Sequence, residues 1–293
     1  MRLERSRPRH ARWLLIGGAL TAGLLLAGGT AAAGGPRTSD PCPGGLEPNL
    51  QPIVPHQLQI QNTAGREYLR LTNGLANTGA GPWHIRPQTV LTDGGGTTTA
   101  IQDVWSTIGG VSDPASRVVC SFPTTQFEFH PAHNHWHIGS VARFGVHVAL
   151  DDGRGGAIGA ALINDRGIAQ SFKTTFCLID WVKIEGNKKT PDVTYWACDR
   201  TAPYQGVSVG WIDQYHHSLE GQEVDLTGAP VGIYYLLVHA NDDGVFVESD
   251  TTDNVAWRSF RLSRDSSGNP KFSLISTSPC STPSMCGEGI PNR

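Results

Sequence analysis

Apolar and polar residues alternate with a period of two along much of the chain. In "VARFGVHVAL", Ala142, Phe144, Val146, Val148 and Leu150 share one phase, while Arg143 and His147 occupy the other. "REYLRLTNG", "GIYYLLVHAN" and "NVAWRSFRL" read as strands as well, bounded by turn-rich pieces such as "DDGRGG" and "TDGGGTTT". No long stretch carries helical periodicity. Many short strands with no helices between them predict an all-β fold, an antiparallel β-sandwich with long loops. The polar, Gly-, Pro- or Ser-rich segments from Gly34 to Gly45 and from Ser263 to Arg293 are expected to be extensions.

One apolar run breaks this pattern. The chain opens "MRLERSRPRHARWLLIGGALTAGLLLAGGTAAAGG", with arginines before an apolar stretch from about Trp13 to Ala27 and small residues at Ala31 and Ala33. That order predicts a secretory signal peptide over residues 1–33, cleaved after Ala33. Without a twin-arginine pair, general export is the expected route. The alternative is an uncleaved anchor, since Trp13 to Ala33 could just span a bilayer. Either way, the remainder is expected outside the cytoplasm, secreted or in the cell envelope, with membrane contact only if the signal persists.

Composition adds two constraints. A net charge of −3, with no basic block beyond the leader, gives no nucleic-acid footprint. All six cysteines follow the leader, an even number in an oxidising compartment, so disulfides are the default. Cys280 and Cys286 are close enough to staple the C-terminal tail. Cys177 with Cys198, and Cys42 with Cys120, are further candidates that spacing alone does not choose.

The chemistry concentrates in "FEFHPAHNHWHIGS". It holds His130, His133, His135 and His137, four of the chain's 11 histidines. On a helix, at about 100° per residue, the middle ring of the i, i+2, i+4 set would point away from the other two. On a strand His133, His135 and His137 leave one face and can converge on one ion. Three imidazoles with an open position suit copper or zinc, and spacing does not separate the two. Pro131 interrupts the ladder and His130 breaks the phase, so His130 is expected beside the metal or toward the substrate. A second group, "VESDTTDNV", places Glu248, Asp250, Asp253 and Asn254 within seven residues. Carboxylates and an amide oxygen are hard ligands suited to calcium; the alternative is a solvated acidic turn.

These pieces together resemble the catalytic domain of the lysyl oxidase family, the copper amine oxidases, in a form similar to prokaryotic members. "HPAHNHWH" resembles the family's H-x-x-H-x-H-x-H copper stretch, "FKTTFCLID" its K-x-x-F-C-L-x-D segment, "GVSVGWIDQY" its G-L-S-x-G-x-x-D-x-Y segment, and "VESDTTDNV" its P-E-S-D-x-x-N-N-V close. The resemblance runs from about Pro48 to Leu262. It implies a catalytic domain over 48–262, an N-terminal extension over 34–47 and a C-terminal extension over 263–293. It also implies copper on His133, His135 and His137, and a lysine tyrosylquinone made from Lys173 and Tyr215. A substrate primary amine, a peptidyl lysine of a secreted or surface protein or a free amine, would condense with that quinone. The products would be an aldehyde, ammonia and hydrogen peroxide, with oxygen as acceptor. Asp213, two residues before Tyr215, is expected either to orient the tyrosine or to abstract the substrate's α-proton.

The resemblance further implies a structural calcium site completed by an Asp-Leu pair near the domain start. Asn49 and Leu50 stand there in this chain, which keeps an oxygen but loses a charge. Ala132, Trp181 and Trp211 occupy neighbourhoods where animal members carry cysteines. Cys177 and Cys198 match family cysteines whose usual partners are missing, which makes their mutual bond the first choice. The inserted "KIEGNKKTPD" is expected to alter access to the quinone. Two other readings compete. One is a copper- or zinc-binding sandwich in which the lysine and tyrosine never react. The other is a zinc hydrolase, for which Glu128 is the sole nearby acid and falls out of phase with His133 on a regular strand.

Overall fold

A computed structural model describes residues 41–291, apart from 91–95, 132, 172, 189, 200 and 201. The expected leader, residues 34–40 of the extension and Ala132 lie outside the described residues. Every strand pairing among the described residues is antiparallel, as the alternation predicts.

Among the described residues three large sheets contribute to one core, beside a two-stranded pair of Ile163–Asn164 and Gly167–Ile168. In the first, the long central strand Arg66–Asn77 pairs with Leu50–Pro52, His56–Thr63, Trp211–Tyr215 and Glu223–Asp225, and Val182–Lys183 adds on beyond Trp211–Tyr215. The second runs Gln205–Val207, Trp83–Pro87, Thr97–Trp105, Val118–His130, His135–Ile138. The third runs Pro270–Thr277, Val255–Arg264, Gly232–Ala240, Ala142–Ala149, Ile158–Ala161. Leu69, Leu71, Phe127, Ile138, Phe144, Leu236 and Phe260, drawn from all three sheets, lie in one buried cluster. Removing such residues from water is the main stabilising term.

The phase read in "VARFGVHVAL" holds over Ala142, Phe144 and Val146, which are 2% exposed or less. It fails at Val148 and Leu150, which are 40% and 72% exposed as the strand leaves the core. The segment after Ser263 differs from the extension expected of it. Pro270–Thr277 pairs with Val255–Arg264 and forms an edge strand of the third sheet. Its polar residues reflect an edge position, where few side chains need burial, rather than a loose tail.

Three disulfides, Cys42–Cys120, Cys177–Cys198 and Cys280–Cys286, use all six cysteines. The last staples a tail whose Met285 packs with Ile53, Ala76 and Ile212 as a second, smaller core.

Candidate functional site

A hairpin builds the histidine cluster. Val118–His130 runs against His135–Ile138, with His130 opposite His135, Phe129 opposite Trp136, and Glu128 opposite His137. Residues directly opposite share a face. Trp136 therefore turns inward, its ring 5.3 Å from those of Phe127 and Phe129, while His135 and His137 emerge on the other side.

His133 departs from the expected strand. It lies in the turn between the two strands, where its N–H donates to the His130 carbonyl (3.1 Å) and Asn134 adopts a left-handed φ of 56°. Pro131 cannot donate to the ladder and Asn tolerates this conformation, so the strand ends before His133. The turn nonetheless swings the His133 ring back. One ring nitrogen from each of His133, His135 and His137 lies within 4.8 Å of the others, and the Nε2 atoms of His135 and His137 are 2.9 Å apart. The His130 ring stacks on His133 (4.3 Å) and His137 (5.0 Å). Glu128, out of phase with a strand that included His133, stands in register with His137 instead.

Burial, then the neighbouring His135 and Lys173, hold the His137 pKa down to about 3. The neutral ring is the form that binds metal. Thr175 Oγ1 lies 3.2 Å from His137 Nδ1, which anchors the ring and leaves Nε2 toward the other histidines.

Tyr215 ends the strand Trp211–Tyr215 and is 5% exposed. Its hydroxyl donates to the Cys177 carbonyl, and Phe176 meets its ring edge-on at 4.9 Å. Lys173 comes from an irregular segment fixed by reciprocal Phe176–Ile138 backbone hydrogen bonds and by the Cys177–Cys198 bond. Its Nζ stands 5.1 Å from the Tyr215 ring centroid and donates to the Glu220 carbonyl (3.4 Å). The three histidines, Lys173 and Tyr215 line a single cavity of about 320 Å³, with Cys177, Leu219 and Glu220 completing the wall.

Two residues here escaped the sequence reading. Glu220 faces the cavity, its Oε2 3.4 Å from His133 Nε2. Arg70 donates to the carbonyls of His217 (2.6 Å) and Leu219 (2.7 Å) and pairs with Glu223 (2.7 Å), which clamps the loop carrying Glu220. Neither stands in a motif; a basic residue on the strand opposite the tyrosine was the only signal. His216 and His217, which follow the tyrosine, are half-buried in that loop.

Asp213 is fully buried on the same strand face as Tyr215, opposite Leu75, and is not among the described residues lining the cavity. The inserted segment packs on Trp211, whose indole N–H donates to the Pro191 carbonyl (3.0 Å), and likewise stays out of the cavity wall.

The second oxygen-rich group is brought together in part. Glu248, fully buried, accepts from the side chains of Asn241 (2.6 Å) and Asn254 (2.7 Å) and from the Leu50 N–H (3.0 Å). Asn49 donates to Asp253 (2.9 Å). Asn49 Oδ1, Asp253 Oδ1 and Asn254 Oδ1 are buried without a hydrogen-bond partner. Burial, the largest cause, raises the pKa values of Glu248 and Asp253. Asp250 stands apart, accepting from the N–H (2.8 Å) and hydroxyl (2.7 Å) of Thr252 in an exposed turn.

An antiparallel all-β protein with clustered imidazoles beside a lysine–tyrosine pair is a narrow class, and comparison with known sequences agrees. The family described as lysyl oxidase matches residues 113–267, more than half of the chain, which therefore belongs to the lysyl oxidase family. Among curated proteins it is similar to human lysyl oxidase homolog 1, 33% identical over 133 residues, covering 45% of this chain and 20% of that protein. It is also similar to human protein-lysine 6-oxidase, 32% identical over 135 residues, covering 46% and 28%. Lysyl oxidase homolog 2 of Xenopus tropicalis is 32% identical over 93 residues, covering 32% and 11%. The chain thus spans between about a tenth and a third of the length of these three relatives.

Proposed function

We propose that this protein is a copper-dependent amine oxidase acting outside the cytoplasm. It would deaminate primary amines oxidatively to aldehydes through a quinone formed from Lys173 and Tyr215. The observation that carries this reading is the convergence of His133, His135, His137, Lys173 and Tyr215 on one cavity. The names of the relatives, lysyl oxidase homolog 1 and protein-lysine 6-oxidase, support the same chemistry. The donor set fits the metal: neutral imidazoles with an open side suit a borderline-soft ion such as copper.

When bound, copper with dioxygen supplies the oxidation of the phenol ring, and the mature cofactor supplies an electrophilic carbonyl that no ordinary side chain offers. The chain's own residues do the rest. The Cys177 carbonyl holds the Tyr215 hydroxyl. The Glu220 carbonyl and the ring face of Tyr215 hold the Lys173 amine within reach of the ring it would join. Low exposure of Tyr215 keeps bulk water from the reactive carbon. Three disulfides support an oxidising compartment, and no described helix is long and apolar enough to cross a membrane.

The test is a visible spectrum of copper-loaded, aerated protein before and after phenylhydrazine. A quinone band that converts to a hydrazone adduct is expected. Lys173→Ala and Tyr215→Phe should each abolish the band while keeping copper, and His135→Ala should lose copper. Bound copper without any band would leave a metal-binding sandwich and defeat the oxidase.

The oxygen cluster of Asn49, Glu248, Asp253 and Asn254 supports calcium as a second, structural ion. Three buried, unpaired oxygens and two carboxyls with raised pKa values are what a hard cation would satisfy. Calcium should raise the melting temperature of chelator-treated protein, and Asp253→Ala should remove that increase. An unchanged melting temperature would eliminate the ion.

A further inference from the structure

The nine buried carboxamides among the described residues divide into four that are bonded at both ends and five that are not. Asn77, Gln102, Gln205 and Asn241 have their side chains bonded through both nitrogen and oxygen. Satisfying such groups is the norm, because an unpaired buried amide costs about 1–3 kcal/mol. Two of the five, Asn49 and Asn254, belong to the oxygen cluster and keep open oxygens. The other three lie on or beside the strands Arg66–Asn77 and Trp211–Tyr215. Asn73, Gln214 and Gln222 are 1% exposed or less, and all six of their polar side-chain atoms lack a hydrogen-bond partner.

Asn73 is the best placed of the three. It stands directly opposite Tyr215 in the ladder between Arg66–Asn77 and Trp211–Tyr215. Opposed residues project from one face as nearest neighbours. Asn77, four residues along the same strand and on the same face, is fully engaged by backbone groups. The strand therefore can satisfy an amide where its role is structural, and does not do so beside the tyrosine.

We propose that Asn73 is a positioning residue for the cofactor: its carboxamide hydrogen-bonds the oxygen that the Tyr215 ring acquires on maturation. The inference rests on the amine-oxidase reading, in which a ring C–H becomes C=O, dioxygen is the oxidant and water carries off the second oxygen atom. The unmodified phenol has one oxygen, already committed to the Cys177 carbonyl. The quinone has a second, and Asn73 supplies a buried donor with nothing else to bond. The same bond favours the ring orientation that presents its open edge to Lys173.

The experiment follows quinone formation spectroscopically in copper-loaded, aerated wild type, Asn73→Leu and Asn73→Gln, with copper content and the Lys173–Tyr215 cross-linked peptide measured by mass. Leucine keeps the branched outline of asparagine, with the same number of side-chain heavy atoms, and removes both polar atoms. The expected result is full copper, quinone appearing about ten-fold more slowly per bound copper, and a displaced absorption maximum. Glutamine, which keeps the carboxamide, should recover part of the rate and the maximum. A structural role alone would lower stability without moving the band. An Asn73→Leu protein with wild-type rate and maximum overturns the proposal and leaves the oxidase standing. Absence of the cross-link in wild type overturns both.

Discussion

At the scale of single residues, the site was legible where chemistry requires a particular side chain and illegible where backbone carries the role. His133, His135 and His137 announce themselves by type and spacing, and Lys173 and Tyr215 by the resemblance. The carbonyls of Cys177 and Glu220, which hold the tyrosine and lysine, leave no mark on a sequence. Asp213 shows the limit from the other side. Its position two residues before Tyr215 allows a base or an orienting group, and its burial outside the cavity wall favours the second. Asp213→Asn should accordingly slow cofactor formation but retain the acidic limb of the kcat/KM pH profile. Loss of that limb would restore Asp213 as the proton acceptor.

Among the elements, period-two alternation found the strands, because burial on one face imposes it. It misplaced His133, because the ladder stops at a turn that periodicity does not foresee. It also left Pro270–Thr277 out of the sheet, because an edge strand is not obliged to alternate cleanly. The loop after Tyr215 has a packing role that no motif reports. Gly221, at φ +77°, lies against the lysine stem, and a Cβ there would sit 2.9 Å from Lys173 Cβ. Gly221→Ala should destabilise through both the left-handed backbone and that clash, and should displace Lys173 enough to depress quinone yield while copper content holds. Arg70→Met removes the donors to the His217 and Leu219 carbonyls and should cost about 1–3 kcal/mol. Faster amide exchange over 216–221 would register the loosening; unchanged exchange would show that Arg70 does not clamp the loop.

Across the whole molecule, the sheets also bury histidines outside the His133–His135–His137 cluster. His84 is 2% exposed, with Tyr195 Oη 3.0 Å from its Nδ1, and His56 is 6% exposed. Burial, chiefly, lowers both pKa values from 6.5 to about 4. An unfolded chain takes up these protons as pH falls through 6.5, whereas the folded chain resists until about 4. Stability is therefore present in full above pH 6.5 and lost on acidification across that window, by on the order of 3 kcal/mol per histidine. Thermal melts from pH 7 to 4 should show the decline, and His84→Phe should make it about half as steep. An identical slope in His84→Phe would mean that His84 is not the titrating group.

One covalent link carries a consequence at the level of biosynthesis. Cys177 offers its carbonyl to Tyr215, and Cys198 offers its carbonyl to Trp136 of the histidine hairpin (2.9 Å). Their bond thus ties the tyrosine's anchor to the hairpin's. In a reducing cytosol the tie would be absent, and the parts of the cavity would be free to drift. On the amine-oxidase reading proposed above, a protein releasing peroxide and reactive aldehydes would then be born inert. Arming would wait for the passage out of the cell, where its by-products do the producer least harm.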